Sequence, residues 1–243
     1  MAKQSFLRRY TELAPLLYLL QKQALTLLSP RSWDDRNDAH FLETYKQQGG
    51  FASVLALCFT EAPETYHHWR VFAGGSSGVC LEFDKKLLLA SMTPKAGITH
   101  DRVEYKTIDE LRKVLRASVD LRFVKRNPFR DEKEFRIIYV DPTTSLEAKD
   151  VSFDRSALQR VVVNPWMPKS VYESVRDLIV GLDDWKHLKV HRTTLVDNEE
   201  WRLLARGGHS PSNKALQRAS RAQRKAKSQR PGRAVRRAAP EVV

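Results

Sequence analysis

Compact apolar runs alternate with amphipathic stretches along most of the chain. The runs 25–28, 54–59 and 79–83 have the length and composition of buried strands. Helices are predicted where apolar residues recur at spacings of three and four, because that spacing places them on one helical face. Further strands are expected at 103–105, 135–140, 160–163 and 188–195. Residues 6–10 are predicted to be either a short strand or an extended entry. Helices are expected near 15–24, 34–48, 64–72, 85–92, 108–123 and 168–180. Since strands and helices interleave throughout, the fold class is α/β or α+β in a single mixed domain.

Polar residues with capping ability stand at the start of several predicted helices. Asp34, Asp35, Asn37 and Asp38 are alternative N-caps for the second helix. Asp84 is the expected N-cap of the helix that ends near Met92. These positions favour structural roles for the acidic residues, and a Mg²⁺ site at Asp34, Asp35 and Asp38 is the costlier interpretation.

Charge is distributed unevenly along the chain. The formal net charge is +13, from 42 Lys and Arg against 29 Asp and Glu. Residues 207–243 hold ten Lys or Arg and the single acidic residue Glu241, which leaves 32 basic and 28 acidic residues in 1–206. We therefore predict a globular domain at 1–206 and a disordered basic tail at 207–243, which binds nucleic acid weakly and without sequence preference.

The cysteine content and the N-terminal segment bear on the compartment. Cys58 and Cys80 are the only cysteines, which is too few for a disulfide framework. The first residues lack the apolar segment and cleavage site of a signal peptide, and the apolar run 13–20 is too short to span a bilayer. We expect a cytoplasmic protein without membrane association.

An ordered set of short segments resembles the bacterial domain-of-unknown-function family 2971. The segments are LTLLSPRSWDDRND (25–38), LALCFTE (55–61), the helix of Trp69, GVCLEFD (78–84), VEY (103–105), EKEFRII (132–138) and VVVNPWMP (161–168). The resemblance covers about residues 6–195. The family usually has Pro after an aromatic-Asn-Asp turn, whereas this chain has Arg36 after Trp33-Asp34-Asp35. The resemblance implies no established activity but suggests a bacterial, defence-related setting.

Glu132 and Glu134 form an E-x-E pair at the entrance to a predicted strand. On an extended segment, side chains at i and i+2 point the same way. This is similar to the E-x-E element of ADP-ribosyltransferases, which also use an Arg on the first strand and a Ser or Thr on the second. Arg9 (or Arg8) and Thr60 occupy those places in the same chain order. The structural alternative is that both carboxylates pair with Arg130 and Arg136 on a solvated strand end.

A second candidate is the aromatic and basic segment 66–70. Tyr66, His67 and Trp69 offer ring surfaces and imidazole nitrogens suited to a nucleotide. At helical spacing Trp69 is also a good core residue, and burial is the favoured interpretation of this residue. A zinc site from Cys58, Cys80 and the histidines is disfavoured, since no C-x-x-C pair is present, and no metal is predicted.

Two functions from different classes fit these features. The first is an ADP-ribosyltransferase-like enzyme that uses NAD as donor and acts as an intracellular toxin or defence effector. Its candidate residues are Glu134, Glu132 and Thr60 for catalysis, and Arg9, Tyr66, His67, Trp69 and Arg136 for NAD binding. The second is a non-enzymatic nucleic-acid-binding module with a basic tail. The enzyme requires Arg9, Thr60 and Glu134 to meet in one cleft.

Overall fold

A computed structural model describes residues 5–114 and 119–205 of the 243-residue chain. The chain divides into two units after Val196. The first unit is a mixed α/β fold built on one large sheet, which confirms the predicted fold class. In the second unit the described residues form one helix, α7 (Glu199–Ala205). The predicted basic tail, 207–243, lies outside the described residues.

The strands of the first unit form a nine-stranded sheet and a separate two-stranded one. In the large sheet, all pairs are antiparallel except β10 with β11. The strands are β1 (Phe6–Glu12), β2 (Ala24–Leu28), β3 (Ser53–Thr60), β4 (Gly78–Asp84), β5 (Ile98–Arg102), β6 (Glu104–Lys106), β7 (Val124–Arg126), β8 (Glu134–Asp141), β9 (Ala148–Ser152), β10 (Leu158–Val163) and β11 (Lys189–Arg192).

The large sheet divides at β3. Along one edge, β3 pairs with β8 over its whole length, from Ser53–Asp141 to Thr60–Glu134. Along the other edge it meets two strands, β2 at Ala56 and β1 at Thr60. From there β1 continues into β4, β10 and β11, whereas β2 continues into β9. The two arms therefore separate along this edge of β3, between its contacts with β2 and β1.

Helices cover both faces of the sheet. The α-helices of the first unit are α1 (Leu13–Lys22), α2 (Arg36–Gln48), α3 (Tyr66–Phe72), α4 (Lys85–Met92), α5 (Ile108–Val114) and α6 (Lys169–Val180). Buried residues of α1, α4 and α6 form the main core with alternate residues of the strands. On the other face, α3 packs over β1, β4 and β10 through Trp69, and α2 packs over β3 and β8 through Leu42. Between α2 and α3 the centre of this face lacks a covering helix in the part of the chain that the structure describes.

Side-chain caps fix the starts of the helices beside this opening. Asp35 is the N-cap of α2, and its Oδ1 accepts from the main-chain N–H groups of Asn37 (3.0 Å) and Asp38 (3.3 Å). Thr65 caps α3 by accepting from the N–H of His68 at 3.2 Å. The predicted N-cap of α4 is confirmed, because Asp84 Oδ1 accepts from Leu87 N at 3.0 Å.

Two local expectations are wrong. The predicted long helix 108–123 is interrupted: α5 spans Ile108–Val114, residues 115–118 are outside the described ranges, and Leu121–Phe123 is a 3₁₀ turn. The E-x-E pair is not on an extended segment. Glu132 ends a 3₁₀ helix, Lys133 adopts a left-handed conformation (φ 43°), and only Glu134 belongs to β8.

Candidate active site

A cleft of about 460 Å³ opens where the two arms of the sheet separate. Its floor is the second half of β3, residues 56–60. One wall comes from β1 and α3, and the other from the segment 32–38 at the start of α2. The segment 125–134, between β7 and β8, supplies the remaining side. A volume of this size is typical of a small-molecule site.

A buried ion network underlies the α2 side of the cleft. Arg136, which is fully buried, makes a two-pronged contact with Asp38, Nη1 to Oδ1 at 3.0 Å and Nη2 to Oδ2 at 2.7 Å. Its Nε donates to Glu134 Oε1 at 2.7 Å. Lys125 Nζ lies 2.7 Å from Glu132 and 3.2 Å from Glu134. Three carboxylates thus share two cations, and the network carries one excess negative charge when all five groups are ionised.

The turn between Glu132 and Glu134 is held by the end of β3. Thr60 Oγ1 donates to the main-chain carbonyl of Glu132 at 2.5 Å, and the same oxygen accepts from Ala62 N at 2.9 Å. Lys133 adopts a left-handed conformation between the 3₁₀ helix and β8. Both glutamates therefore reach Lys125, although one lies on a turn and the other on a strand.

The two glutamates differ in their protonation. Burial alone would raise the pKa of Glu134, but the Arg136 guanidinium, the Lys125 ammonium and a hydrogen bond from the Cys58 thiol outweigh it and hold the pKa at about 2. Burial raises the pKa of Glu132 above its ordinary value, and Lys125 only partly opposes this. Glu134 is thus a permanent carboxylate, whereas Glu132 accepts a proton more readily.

Arg9 is a half-buried cation that lacks a carboxylate partner among the described residues. Its Nη1 donates to the main-chain carbonyl of Cys58 at 3.1 Å, on the free edge of β3. Within the described residues it forms no ion pair, and burial lowers its pKa from a very high ordinary value. Arg8 differs, because it pairs with Glu82 at 2.7 Å and donates to the carbonyl of Ala62. An unpaired guanidinium in a cleft is suited to an anionic ligand group.

The α3 wall contributes His68 and Tyr10, whose rings stack at a centroid distance of 5.4 Å. His68 Nδ1 is 2.5 Å from Thr65 Oγ1. Burial lowers the pKa of His68, which keeps the imidazole neutral at neutral pH, although the nearby Glu132 carbonyl acts in the opposite direction. The hydroxyl of Tyr10 and Nε2 of His68 are buried and have no hydrogen-bond partner in the described part of the chain.

The candidate residues divide into two groups by position. Arg9, Thr60, Glu132 and Glu134 all line the one cleft, as the enzyme hypothesis requires. Trp69 does not: it is fully buried and donates from Nε1 to Glu64 at 2.7 Å, so its ring cannot stack on a ligand. Tyr66 and His67 also lie outside the cleft lining, and Arg136 lies beneath it without exposed surface. The structural alternative of two solvated ion pairs is wrong in two respects. Glu132 pairs with Lys125 and not with Arg130. Glu134 does pair with Arg136, but it is only 5% exposed.

Several residues of the site were assigned other roles or none from the sequence. Asp35 and Asp38 are predicted as helix caps, and Asp35 is one. The sequence does not predict that both residues also line the cleft. Lys125 has no predicted role, because nothing in the local sequence distinguishes it from a solvated lysine, and His68 is predicted only as part of the segment 66–70. Among the described residues, no group of three or more His, Cys, Asp or Glu side chains is arranged to hold a metal ion.

Comparisons with known proteins give only distant likenesses. No protein-family model matches the chain, and no curated protein does either. The resemblance to family 2971 is therefore not confirmed. Solved structures of DarT from Thermus sp. 2.9 are similar at low level. The complex with ADP-ribosylated ssDNA is 13% identical with a TM-score of 0.39, and the match covers 78% of this chain and 94% of that one. The complexes with carba-NAD+ and with NAD+ are 11% and 12% identical, with TM-scores of 0.40 and 0.38, and the match covers 78% of this chain and 96% of each of those. A likeness at this level establishes neither a shared fold nor a shared activity.

Proposed function

We propose that the chain is an NAD-consuming enzyme of ADP-ribosyltransferase-like type. The observation that carries the proposal is the convergence of Arg9, Thr60, Glu132 and Glu134 in one cleft at the division of the sheet. Arg9, Thr60 and the glutamate pair come from three strands and one turn, and the three positions are far apart in sequence, so their meeting is not a trivial result of proximity along the chain. As the family resemblance suggests, the biological setting we propose is a toxin or defence effector.

The cleft has the polarity that this substrate requires. Arg9 provides an unpaired positive charge that suits the diphosphate of NAD. The carboxylate network, with its excess negative charge, suits the positively charged nicotinamide and the cationic sugar that forms as it leaves. Fixed charges stabilise a transition state best when they are already in place, and the contacts of Glu134 with Arg136 and Lys125 hold it in one position.

The reaction then requires one bond to break and one to form at the same carbon. The bond between C1′ of the ribose and the nicotinamide nitrogen breaks, and nicotinamide leaves with the electron pair. The acceptor heteroatom bonds to C1′ and releases its proton. We assign that proton to Glu132, because this side chain lines the cleft and burial raises its pKa. Thr60 holds the turn that carries Glu132.

The test is nicotinamide release from NAD by wild type and by Glu134→Gln, with cell lysate present to supply acceptors. Gln retains the size of Glu and a hydrogen-bonding side chain but removes the negative charge. We expect release to fall by about 100- to 1,000-fold, the usual effect of removing one electrostatic group that stabilises a transition state.

The matched control is Glu61→Gln. Glu61 pairs with Lys85 at 2.7 Å and with Arg102, and it does not line the cleft, although it directly follows Thr60. This variant should release nicotinamide at the wild-type rate. Equal rates for Glu134→Gln and wild type would contradict the role of Glu134, and no release by wild type would contradict the enzyme proposal as a whole.

A further inference from the structure

Unpartnered polar atoms are concentrated around the cleft. Three buried side-chain atoms lack a hydrogen-bond partner within residues 5–114 and 119–205, namely Tyr10 Oη, Asp35 Oδ2 and His68 Nε2. All three residues line the cleft, from both of its walls. Tyr10 and His68 are 8% and 5% exposed. Buried polar groups are nearly always paired in folded proteins, so their coincidence in one cleft indicates a ligand that supplies the missing partners.

Of the three residues, Asp35 restricts the chemistry of the ligand most. Its Oδ1 already accepts from Asn37 N and Asp38 N as the N-cap of α2, and this fixes the carboxyl group. The second oxygen, Oδ2, cannot turn to another partner without breaking the cap. A carboxylate oxygen only accepts hydrogen bonds, so the complementary ligand group must be a donor. Tyr10, which lies beside the Cys80 thiol, and His68, which lies near the Glu132 carbonyl, can each donate or accept, which suits a group that does both.

We propose that Asp35 Oδ2 binds a ribose hydroxyl of the nucleotide, which makes Asp35 a specificity-determining residue for ribose. A sugar hydroxyl donates to the carboxylate and still accepts from a second protein group. It therefore matches Asp35 Oδ2, which only accepts, on one wall, and Tyr10 and His68, which can donate or accept, on the other. Acidic side chains hold ribose hydroxyls of dinucleotides in this way in other folds. The inference rests on the proposed function, since it takes NAD to be the ligand.

The experiment is calorimetric titration with ADP-ribose, which keeps both riboses of NAD but has no nicotinamide to lose. Asp35→Asn is the informative variant, because Asn caps helices about as well as Asp while an amide NH₂ replaces the accepting Oδ2. We expect an unchanged melting temperature and about 10- to 100-fold weaker binding, the effect of losing one hydrogen bond to a charged group. The matched control is Asp84→Asn, an equivalent N-cap on α4 that does not line the cleft, and it should bind as wild type does.

Deoxy analogues of ADP-ribose identify the bonded group. When the hydroxyls of one ribose are replaced by hydrogen, wild type should bind that analogue more weakly, and Asp35→Asn should cause no additional loss. An unchanged affinity of Asp35→Asn for ADP-ribose would overturn the inference, as would an equal loss with every analogue or a failure of wild type to bind. Nicotinamide release is measured separately: binding with the expected pattern but without turnover would overturn the proposed function and leave the ribose contact standing.

Discussion

Two arginines near the cleft, the fully buried Arg136 and the half-buried Arg9, differ in how their charge is satisfied. Arg136 is fully buried, and two carboxylates and a main-chain carbonyl satisfy its guanidinium. Within residues 5–114 and 119–205, Arg9 donates to the carbonyl of Cys58 and forms no ion pair. A buried charge is costly unless it is paired, so Arg136 belongs to the folded framework, whereas Arg9 retains unused capacity for an anion.

Glu134 pairs with Arg136 and Lys125, and these contacts give it a measurable signature in acid. Its pKa is held at about 2 in the folded protein, against 4.5 for the free side chain. Because the folded pKa is depressed, the stabilisation is present above about pH 4.5 and is lost as pH falls toward 2. The difference corresponds to about 3 kcal/mol of unfolding free energy. Glu134→Gln should therefore be less stable than wild type at pH 7, by about this amount, and the gap should close on acidification.

Urea unfolding of both proteins at pH 7, 5, 4 and 3 measures this gap. Glu61→Gln again serves as the control, since Glu61 is more exposed and its loss should cost about 1 kcal/mol or less. A gap between wild type and Glu134→Gln that is constant with pH would mean that the Arg136 and Lys125 contacts do not stabilise the carboxylate.

At this scale the sequence predicts that the glutamates, Arg9 and Thr60 meet in one cleft, which they do, but it does not predict their surroundings. The E-x-E spacing is local and visible in the sequence, and its order relative to Arg9 and Thr60 suggested a common site. Asp38 stands 98 residues before its partner Arg136, and no local pattern links the two. The pairing arises only when β3 aligns with β8 and α2 covers them. The turn at Lys133 was also missed, because no Gly or Asn marks its left-handed conformation.

At the scale of elements, the cleft depends on the position of α3 relative to the sheet. The segment after α3 is anchored to β10 by Asn164, which is fully buried. Its Nδ2 donates to the carbonyls of Ala73 (3.2 Å) and Gly75 (2.9 Å), and its Oδ1 accepts from Trp166 N at 2.8 Å. The close fit extends to Gly78, where an added Cβ would lie 2.5 Å from the Ala73 carbonyl oxygen.

Replacing Asn164 by Ala should loosen this wall of the cleft. The change leaves buried main-chain groups without partners, and each such group costs about 1–3 kcal/mol, so we expect a loss of about 3 kcal/mol or more in unfolding free energy. Asn37→Ala is the control, since that side chain is exposed and should cost less than about 1 kcal/mol. Chemical unfolding measures both variants. Equal stability of the two would show that Asn164 does not anchor α3.

Most elements of the first unit were predictable because their apolar periodicity is strong. The buried strands β3, β4, β8 and β10 and the helices α1, α2, α4 and α6 follow it closely. The strands β5 and β9 were missed, since their alternation is weak and they are defined by pairing with β8 and β2. The division of the sheet at β3 has no sequence signal, because it arises when β1 and β2 pair with different parts of the same edge of β3.

At the scale of the whole molecule, charge is distributed unevenly along the sequence. Residues 1–206 carry 32 basic and 28 acidic side chains, and many of them pair in the described structure. Residues 207–243 carry ten basic side chains and one acidic one and have little periodic apolar sequence. Because such a segment contributes little apolar burial, its removal should leave the unfolding transition of the first unit nearly unchanged.

The same segment should supply weak binding to nucleic acid that does not depend on sequence. Each phosphate neutralised by Lys or Arg releases a counterion, so the logarithm of the binding constant should fall with the logarithm of salt concentration, with a slope of about −0.9 per contact on duplex DNA. We expect the full chain to bind a random-sequence duplex with a steep slope, and a chain ending at residue 206 to bind more weakly with a shallower one. A full-length variant with the ten basic residues of 207–243 changed to Gln separates charge from length and should behave like the truncated chain. Equal affinity and slope for all three proteins would place the nucleic-acid surface on the first 206 residues, and the unpaired Arg9 would then be the first side chain to test there.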